Sequence, residues 1–458
     1  MTDAIAGLPF WEIEFDTEGD PDPARRATLL QEVPQHGITD LFVFSHGWND
    51  DPATARRLYD GFFGVLAQQH AAHHPGTATV GLVGVMWPAE RWSDEPIPDF
   101  TPTGPVLSGG GGTAAATVAD TDAPATVSPT LDDATLAQLI GLFPAGADHL
   151  TRMATLLGGP VIDDALAEFH ERLIAFADRV GTADDDGESV AGKPAQRPEM
   201  LSDDPATLFG RFRDALQATG AELGDTDGGG TAGLGDVLGR FWNGAKEALR
   251  SATYWEMKNR AGVIGRVGLG PLLGGLAAAA PGLRVHLIGH SFGARLVSCT
   301  LAGLPEGAAS PVASLTLLEG AFSHFAFVPR LAFDPSRAGA LAGMRSRVAG
   351  PVTVCFSSHD SAVGTFYPLA SLAAGDDSAG GRDSMWRWGG MGADGAQNDD
   401  AVLVGVQAAG SAYSFPADAI LNVDASDVVS RGGPPSGAHS DIVHEELTWI
   451  VLTAAGLA

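Results

Sequence analysis

Cysteine and long apolar runs are scarce in this chain of 458 residues. Its two cysteines, Cys299 and Cys355, lie in apolar segments that predict buried elements, so we expect free thiols rather than a disulfide. Residues 1–7 contain neither a basic region nor a long apolar region, so we expect no Sec-type signal peptide. The most apolar later stretch, 267–280, is too short and too glycine-rich to predict a membrane span. These absences predict a cytoplasmic location, with signal-independent export left open.

Positive charge is also scarce, because 27 Lys and Arg residues stand against 56 Asp and Glu residues, for a formal net charge of −29. Such a surface repels phosphate backbones and anionic bilayers, so we expect neither nucleic acid nor an anionic membrane as a partner. The histidines at 73 and 74 do not have the spacing of a metal site. The glycine runs at 109–112 and 228–230 lack the lysine of a phosphate loop. We therefore predict no cofactor and no metal.

The chain divides into a core and an insertion. Apolar runs of strand length alternate with amphipathic helices in residues 1–92 and 251–458, which predicts a doubly wound, mostly parallel α/β sheet. The predicted buried strands are 39–44, 79–87, 283–288, 312–318, 352–356 and 419–423. Residues 93–250 interrupt this pattern with amphipathic helices and with linkers rich in glycine or acidic residues. We expect this stretch to form an acidic helical insertion, acting either as a lid or through plain packing on the core.

The most specific motif is GHSFG at 289–293, which directly follows the predicted strand 283–288. A β-branched apolar run that ends in G-x-S-x-G and leads into a helical pattern predicts a strand, a sharp turn and a helix. Gly289 and Gly293 are needed because a side chain at either position would collide with the adjoining helix or strand. Ser291 is therefore the candidate nucleophile.

A serine hydroxyl becomes a good nucleophile only when a general base removes its proton, and a carboxylate must orient that base. Asp360 follows the predicted strand 352–356, where such a carboxylate is expected. Its alternative role is to cap the turn at Ser361. Glu319, at the end of the preceding strand, is the rival acid, with a salt bridge at the sheet edge as its alternative role.

The candidate base is His439, in the loop of small residues at 437–441 that precedes the closing helix. His444 is the alternative, but we expect it within that helix, at about 443–457. Asp441 is expected to cap the helix rather than to take part in catalysis.

Two backbone N–H groups are needed to bind the negative charge that develops on a carbonyl oxygen. One is expected from Phe292, the residue after the nucleophile, and the other from Trp48, after the first buried strand. Gly47 allows the backbone of that loop to approach closely. His46 and His290 flank these positions, and we expect both to hold loops by hydrogen bonds.

With these residues in place, the chain resembles the α/β-hydrolase superfamily, specifically its lipase- and esterase-like members. The resemblance rests on FVFSHGW at 42–48, LIGHSFGARLV at 287–297, SSHD at 357–360 and GAHSD at 437–441. It covers the predicted core segments and implies Ser291 as nucleophile, Asp360 as acid and His439 as base. The insertion departs from the family pattern, because the usual cap follows a later strand.

The resemblance implies a serine hydrolase that cleaves a carboxylic ester through an acyl-enzyme, with a small-molecule or lipid ester as substrate. A thioesterase, or a phospholipase or lipase of the same fold, is the alternative among enzymes. A non-catalytic interaction protein that docks through the helical insertion is the alternative outside them. Trp386 and Trp388 are further candidates for lining a substrate pocket. The oligomeric state is left open.

Overall fold

A computed structural model describes residues 3–73, 76–89, 92, 100, 126–180, 201, 203–223, 234–372 and 386–458. Its strands are β1 (Asp3–Ile5), β2 (Leu8–Glu14), β3 (Asp40–Ser45), β4 (Val80–Met86), β5 (Thr126–Val127), β6 (Glu222–Leu223), β7 (Arg284–His290), β8 (Val312–Leu318), β9 (Val352–Phe356), β10 (Val402–Gly405) and β11 (Ile420–Asp424). Its α-helices are α1 (Pro23–Gln35), α2 (Pro52–His73), α3 (Asp133–Leu142), α4 (Ala147–Leu157), α5 (Asp163–Val180), α6 (Pro205–Ala218), α7 (Leu234–Val263), α8 (Gly270–Ala279), α9 (Phe292–Gly303), α10 (Tyr367–Leu372), α11 (Met391–Asp394) and α12 (Glu445–Ala455).

Nine strands form one sheet in the order β1-β2-β4-β3-β7-β8-β9-β11-β10. Only β1 and β2 pair antiparallel within it, and every other neighbouring pair is parallel. The predicted α/β class with a mostly parallel sheet is therefore confirmed. Strands β1 and β10 were not predicted, because three or four residues are too few to give a clear periodicity.

Both faces of this sheet are covered. Along β3, Leu41 and Val43 pack into one core cluster, whereas Phe42 and Phe44 pack into a second cluster on the opposite face. Helices α1, α8 and α9 contribute to the first cluster, and α2 and α12 contribute to the second. This explains why β3 and β4 are apolar throughout rather than alternating.

The carboxyl ends of four central strands meet at one edge of the sheet. Ser45 of β3 pairs with Gly289 of β7, and His290 of β7 pairs with Leu318 of β8. Leu318 in turn pairs with Cys355 of β9. The residues that follow these strands are thereby brought together, and they include all the predicted site residues except those of the loop before α12.

The helical insertion packs onto the core through α7. This helix continues through a π-helical segment, Ile264–Leu269, into α8, so α7 and α8 form one continuous helical run. The predicted boundary at 250 falls inside α7. Phe169 and Phe209 of the insertion share one core cluster with Val83 and Leu287 of the sheet. The predicted linkers at 182–200 and 224–233, and most of the linker at 101–130, lie outside the described residues.

Among the described residues, one helical run, Phe241–Ala279, is long and apolar enough to cross a membrane by length and composition. Its most apolar window has a mean hydropathy of 1.4, and 56% of that window is buried inside the protein. Core helices of soluble proteins also have such values, so the expected lack of a membrane segment stays a prediction. Cys299 and Cys355 are both buried and free, as predicted.

Candidate active site

Ser291 occupies the tight turn between β7 and α9. Its backbone has φ 56° and ψ −124°, a strained conformation for a residue with a side chain. A Cβ atom at Gly289 would lie 2.5 Å from the Cα of Ala294, and one at Gly293 would lie 2.6 Å from the carbonyl carbon of Ser45. Both glycines are therefore required by close backbone approach, as the motif predicts.

A chain of hydrogen bonds joins Ser291, His439 and Asp360. The Oγ of Ser291 lies 2.8 Å from Nε2 of His439, and Nδ1 of His439 lies 2.7 Å from Oδ2 of Asp360. In the neutral histidine, Nδ1–H donates to the carboxylate and Nε2 accepts from the serine hydroxyl. The other Asp360 oxygen, Oδ1, accepts from the backbone N–H of Val363 at 2.9 Å, so the carboxylate also caps the turn. The structure thus brings together three side chains from widely separated loops.

The loop that carries His439 is fixed to its neighbours. Nε2–H of His290 donates to the backbone carbonyl of His439 at 2.8 Å, as expected of a loop-holding histidine. Burial, followed by repulsion from His439, lowers the pKa of His290 to about 3, so His290 remains neutral at ordinary pH. On the other side of the loop, Ala438 N–H donates to the carbonyl of His359 at 2.9 Å. These bonds hold the imidazole of His439 at the serine.

The loop after β3 is held by two buried polar side chains. His46 donates from Nδ1 to the carbonyl of Gly47 at 2.8 Å, and its ring stacks on Trp87 at 5.5 Å. Asp50 Oδ2 accepts from the N–H of Gly47 at 3.1 Å. Burial lowers the pKa of His46 to about 4 and raises that of Asp50 to about 6. His46 is therefore neutral at ordinary pH, and it holds this loop by a hydrogen bond, as expected.

This loop lies directly against Ser291. A Cβ atom at Gly47 would be 2.9 Å from the Cβ of Ser291, so only glycine fits there without displacing the turn. Trp48 follows, and its ring lies 6.0 Å from that of Phe292. Phe292 is the first residue of α9, where backbone N–H groups have no acceptor within the helix. The two predicted oxyanion donors, Trp48 and Phe292, thus belong to segments on either side of Ser291.

Tyr254 of α7 packs with Trp48, Phe292 and Tyr367 beside Ser291, and these four side chains are called the aromatic wall. Tyr254 packs with ring centroids 4.6 Å from Phe292, 5.5 Å from Trp48 and 6.0 Å from Tyr367. Its hydroxyl is buried and has no hydrogen-bond partner among the described residues. Sequence reasoning missed Tyr254, because no motif connects this position with the elbow. Trp386, by contrast, packs against the rings of His324 and Phe325.

The structure changes the roles expected for the alternative residues. Asp441 does not cap α12, because its Oδ2 accepts from the backbone N–H groups of Ser430 and Arg431 at 3.1 and 3.0 Å. His444 directly precedes α12 rather than lying inside it, and its Nε2 is 2.9 Å from Asp441. Glu319 is fully buried and has no ion pair among the described residues, so the prediction of a salt bridge as its alternative role is wrong.

A second serine–histidine–aspartate chain lies within the sheet. The Oγ of Ser314 is 2.9 Å from Nδ1 of His286, and Nε2 of His286 is 3.1 Å from Oδ1 of Asp40. All three residues are buried and belong to strands β8, β7 and β3, with Asp40 the first residue of β3. Ser314 is neither at a turn nor at a helix N-terminus. The hydrogen-bond chain satisfies buried polar groups there, without the surroundings that a nucleophile needs.

Among the described residues, no group of three or more His, Cys, Asp or Glu side chains is placed to hold a metal ion. Comparison with protein-family models, with curated proteins and with solved structures gives no match.

Proposed function

We propose that this protein is a serine hydrolase of the α/β-hydrolase type that cleaves a carboxylic ester through an acyl-enzyme intermediate. The observation that carries the proposal is the geometry at Ser291. The serine is held at positive φ in a strand-to-helix turn, 2.8 Å from a histidine that is itself 2.7 Å from a buried carboxylate. This combination is what acyl transfer by a serine requires.

In the proposed reaction, the Oγ of Ser291 attacks the ester carbonyl carbon while its proton passes to Nε2 of His439. The backbone N–H groups of Phe292 and Trp48 stabilise the oxyanion, and each such donor typically contributes ~3 kcal/mol to transition-state stabilisation. His439 then gives the proton to the departing alcohol, leaving an acyl group on Ser291. Asp360 orients the imidazole and stabilises its positive charge.

Hydrolysis of the acyl-enzyme repeats these steps with water. His439 removes a proton from a water molecule, whose oxygen attacks the acyl carbon. The tetrahedral intermediate collapses, the Ser291–acyl bond breaks, and His439 returns a proton to the serine oxygen. The product is the carboxylic acid. The aromatic side chains of Trp48, Tyr254 and Phe292 around the serine favour an apolar acyl group.

The proposal is tested by labelling the protein with a fluorophosphonate probe, which reacts covalently with activated serines. We expect labelling of the wild type and none of Ser291→Ala. Ser314→Ala is the matched control, because Ser314 also bonds to a histidine but lies inside the sheet. It should label like the wild type. A well-folded wild type that does not label would contradict the proposal and favour a non-catalytic protein that docks through the insertion.

A series of p-nitrophenyl esters with increasing acyl length, together with matched thioesters, then defines the substrate class. We expect turnover of esters that disappears in Ser291→Ala. Faster turnover of the thioesters would assign a thioesterase, and a sharp rise in rate above the solubility limit of long-chain esters would assign a lipase.

A further inference from the structure

Glu319 is a strained and fully buried acid next to the nucleophile turn. It follows β8 directly, is 0% exposed and has φ 47°. Among the described residues, only Ala6, Ser291 and Glu319 combine a side chain with positive φ. Two of these three therefore end neighbouring strands at the same edge of the sheet. Such strain persists only where the surrounding structure enforces it, and it is concentrated at functional sites.

The surroundings of Glu319 hold its carboxyl group beside Asp360. Its backbone N–H donates to the carbonyl of Cys355 on β9, the strand that leads to Asp360. Gly392 packs closely against the backbone of Glu319, since a Cβ atom at Gly392 would lie 2.7 Å from the Cα of Glu319. The charged and titratable groups that face the Glu319 carboxyl are Asp360, Asp441 and the thiol of Cys355. None of these groups is a cation.

Two negative charges in such a place would repel each other strongly. Neither oxygen of Glu319 has a hydrogen-bond partner of ordinary geometry among the described residues. Its strongest interaction is with the Asp360 carboxyl, followed by a weaker one with the backbone N–H of Ser357. Burial first, and then the neighbouring charge of Asp360, raise the pKa of Glu319 well above its usual value. Asp360, in contrast, accepts hydrogen bonds from Nδ1–H of His439 and from the backbone N–H of Val363.

We propose that Glu319 is a neutral carboxylic acid whose O–H donates to the Asp360 carboxylate, as a positioning residue for the Asp360–His439 pair. Its role in turnover rests on the proposed hydrolase function. As a third donor, beside His439 and Val363, it spreads the negative charge of the Asp360 carboxylate and fixes the orientation of this group toward His439. Glu319 is therefore a support for the acid rather than its replacement.

The first experiment measures the protonation of Glu319 through folding, without reference to catalysis. An acid with a raised pKa in the folded state keeps its proton there after the unfolded chain has lost it. Between pH of about 4.5 and the folded-state pKa, wild-type stability should therefore fall with rising pH through this group, by up to about tenfold in the folding constant per pH unit. The side chain in Glu319→Gln cannot titrate, so the folding constant of this variant relative to the wild type should increase with pH by up to this factor per unit.

The measurement is urea unfolding of both proteins from pH 5 to 8, with Glu306→Gln as the control for removing an exposed carboxyl. Curves for wild type and Glu319→Gln that stay parallel while both fold would overturn the proposal. If Glu319→Gln fails to fold, infrared difference spectra between the wild type and Glu319→Leu at pH 6 decide, since the contribution of Asp50 is common to both proteins. A protonated-carboxyl C=O band present only in the wild type supports the proposal, and identical spectra in this region overturn it.

The second experiment tests positioning. Glu319→Gln keeps an N–H donor toward Asp360, whereas Glu319→Leu removes it. Without that donor Asp360 binds the His439 imidazolium more tightly, so the pH at half-maximal kcat/KM on the acid side should rise by about one unit in Glu319→Leu. Glu319→Gln should keep the wild-type profile. Identical profiles in all three proteins would overturn the positioning role, whereas an unlabelled Ser291 in the wild type would overturn the function and leave the folding result standing.

Discussion

At the scale of the residue, Ser291 and Ser314 both belong to a serine–histidine–aspartate hydrogen-bond chain, but they differ in their backbone surroundings. Their Oγ–histidine distances are nearly equal, at 2.8 and 2.9 Å. Only Ser291 has a positive φ, flanking glycines that admit the neighbouring backbone, and a helix that begins at the next residue. The backbone geometry, more than the hydrogen bonds among the three side chains, therefore distinguishes the candidate site from an internal polar network.

Tyr254 gives a prediction in which stability and activity change in opposite directions. Its hydroxyl is buried without a partner among the described residues, so Tyr254→Phe should leave stability unchanged or raise it. We expect this hydroxyl to bond to the bound substrate, so Tyr254→Phe should also lower kcat/KM about fivefold to tenfold, the effect of one hydrogen bond of ~1 kcal/mol. Urea unfolding and ester turnover measure the two effects.

Tyr413→Phe is the matched control. The Tyr413 hydroxyl accepts from the backbone N–H of Gln407 at 2.6 Å, so its removal should reduce stability and leave ester turnover unchanged. A Tyr254→Phe protein with wild-type kcat/KM across the ester series would exclude substrate contact by this hydroxyl.

At the scale of the element, the π-helical segment Ile264–Leu269 packs against α9, the helix that follows Ser291. Gly265 lies at the contact, where an added Cβ would overlap the carbonyl oxygen of Leu296 and lie 3.0 Å from Cβ of Cys299. Gly265→Ala should therefore destabilise the protein by roughly 2–4 kcal/mol, because α9 would have to move.

The control for this prediction is Gly64→Ala in α2, where an added Cβ would meet no atom within 4 Å. Alanine is the better helix former, so this variant should be more stable by about 0.5–1 kcal/mol. Denaturant midpoints test both changes. Equal midpoints for Gly265→Ala and wild type would mean that the contact with α9 tolerates a methyl group.

The central elements could be predicted because their sequence patterns are strong. Strand β7 and the turn at Ser291 follow from an apolar run and two glycines, and the loop of His439 follows from its place after β11. The position of Glu319 at the end of β8 was also evident. Its lack of an ion pair was not, because only the folded structure shows that its carboxyl group is buried beside Asp360 rather than beside a cation. Tyr254 could not be found either, since its contact with Phe292 depends on how a separate helix packs.

At the scale of the whole molecule, the insertion and the sheet share one hydrophobic core. Leu139, Phe169 and Phe209 of the insertion belong to the same cluster as Val83 and Leu287 of the sheet. Replacing residues 129–233 by a short Gly-Ser linker should therefore expose the fully buried Trp242 of α7 and give an aggregated protein.

Size-exclusion chromatography of the soluble fraction measures this outcome. A soluble, monodisperse deletion variant that still reacts with the fluorophosphonate probe would instead indicate a separable lid. In that case the chain-length preference toward esters should change while turnover of short esters remains.

Helix α7 has 30 residues, a length of about 45 Å, and it runs from the insertion to the wall of the candidate site. Trp242 packs against Phe169 of the insertion, while Tyr254, about 18 Å further along the same helix, packs against Phe292 beside Ser291. One continuous helix therefore contacts both the insertion and the residues beside Ser291. Because both contacts are made by one helix, a displacement of α7 at Trp242 would also change the packing of Tyr254 on Phe292.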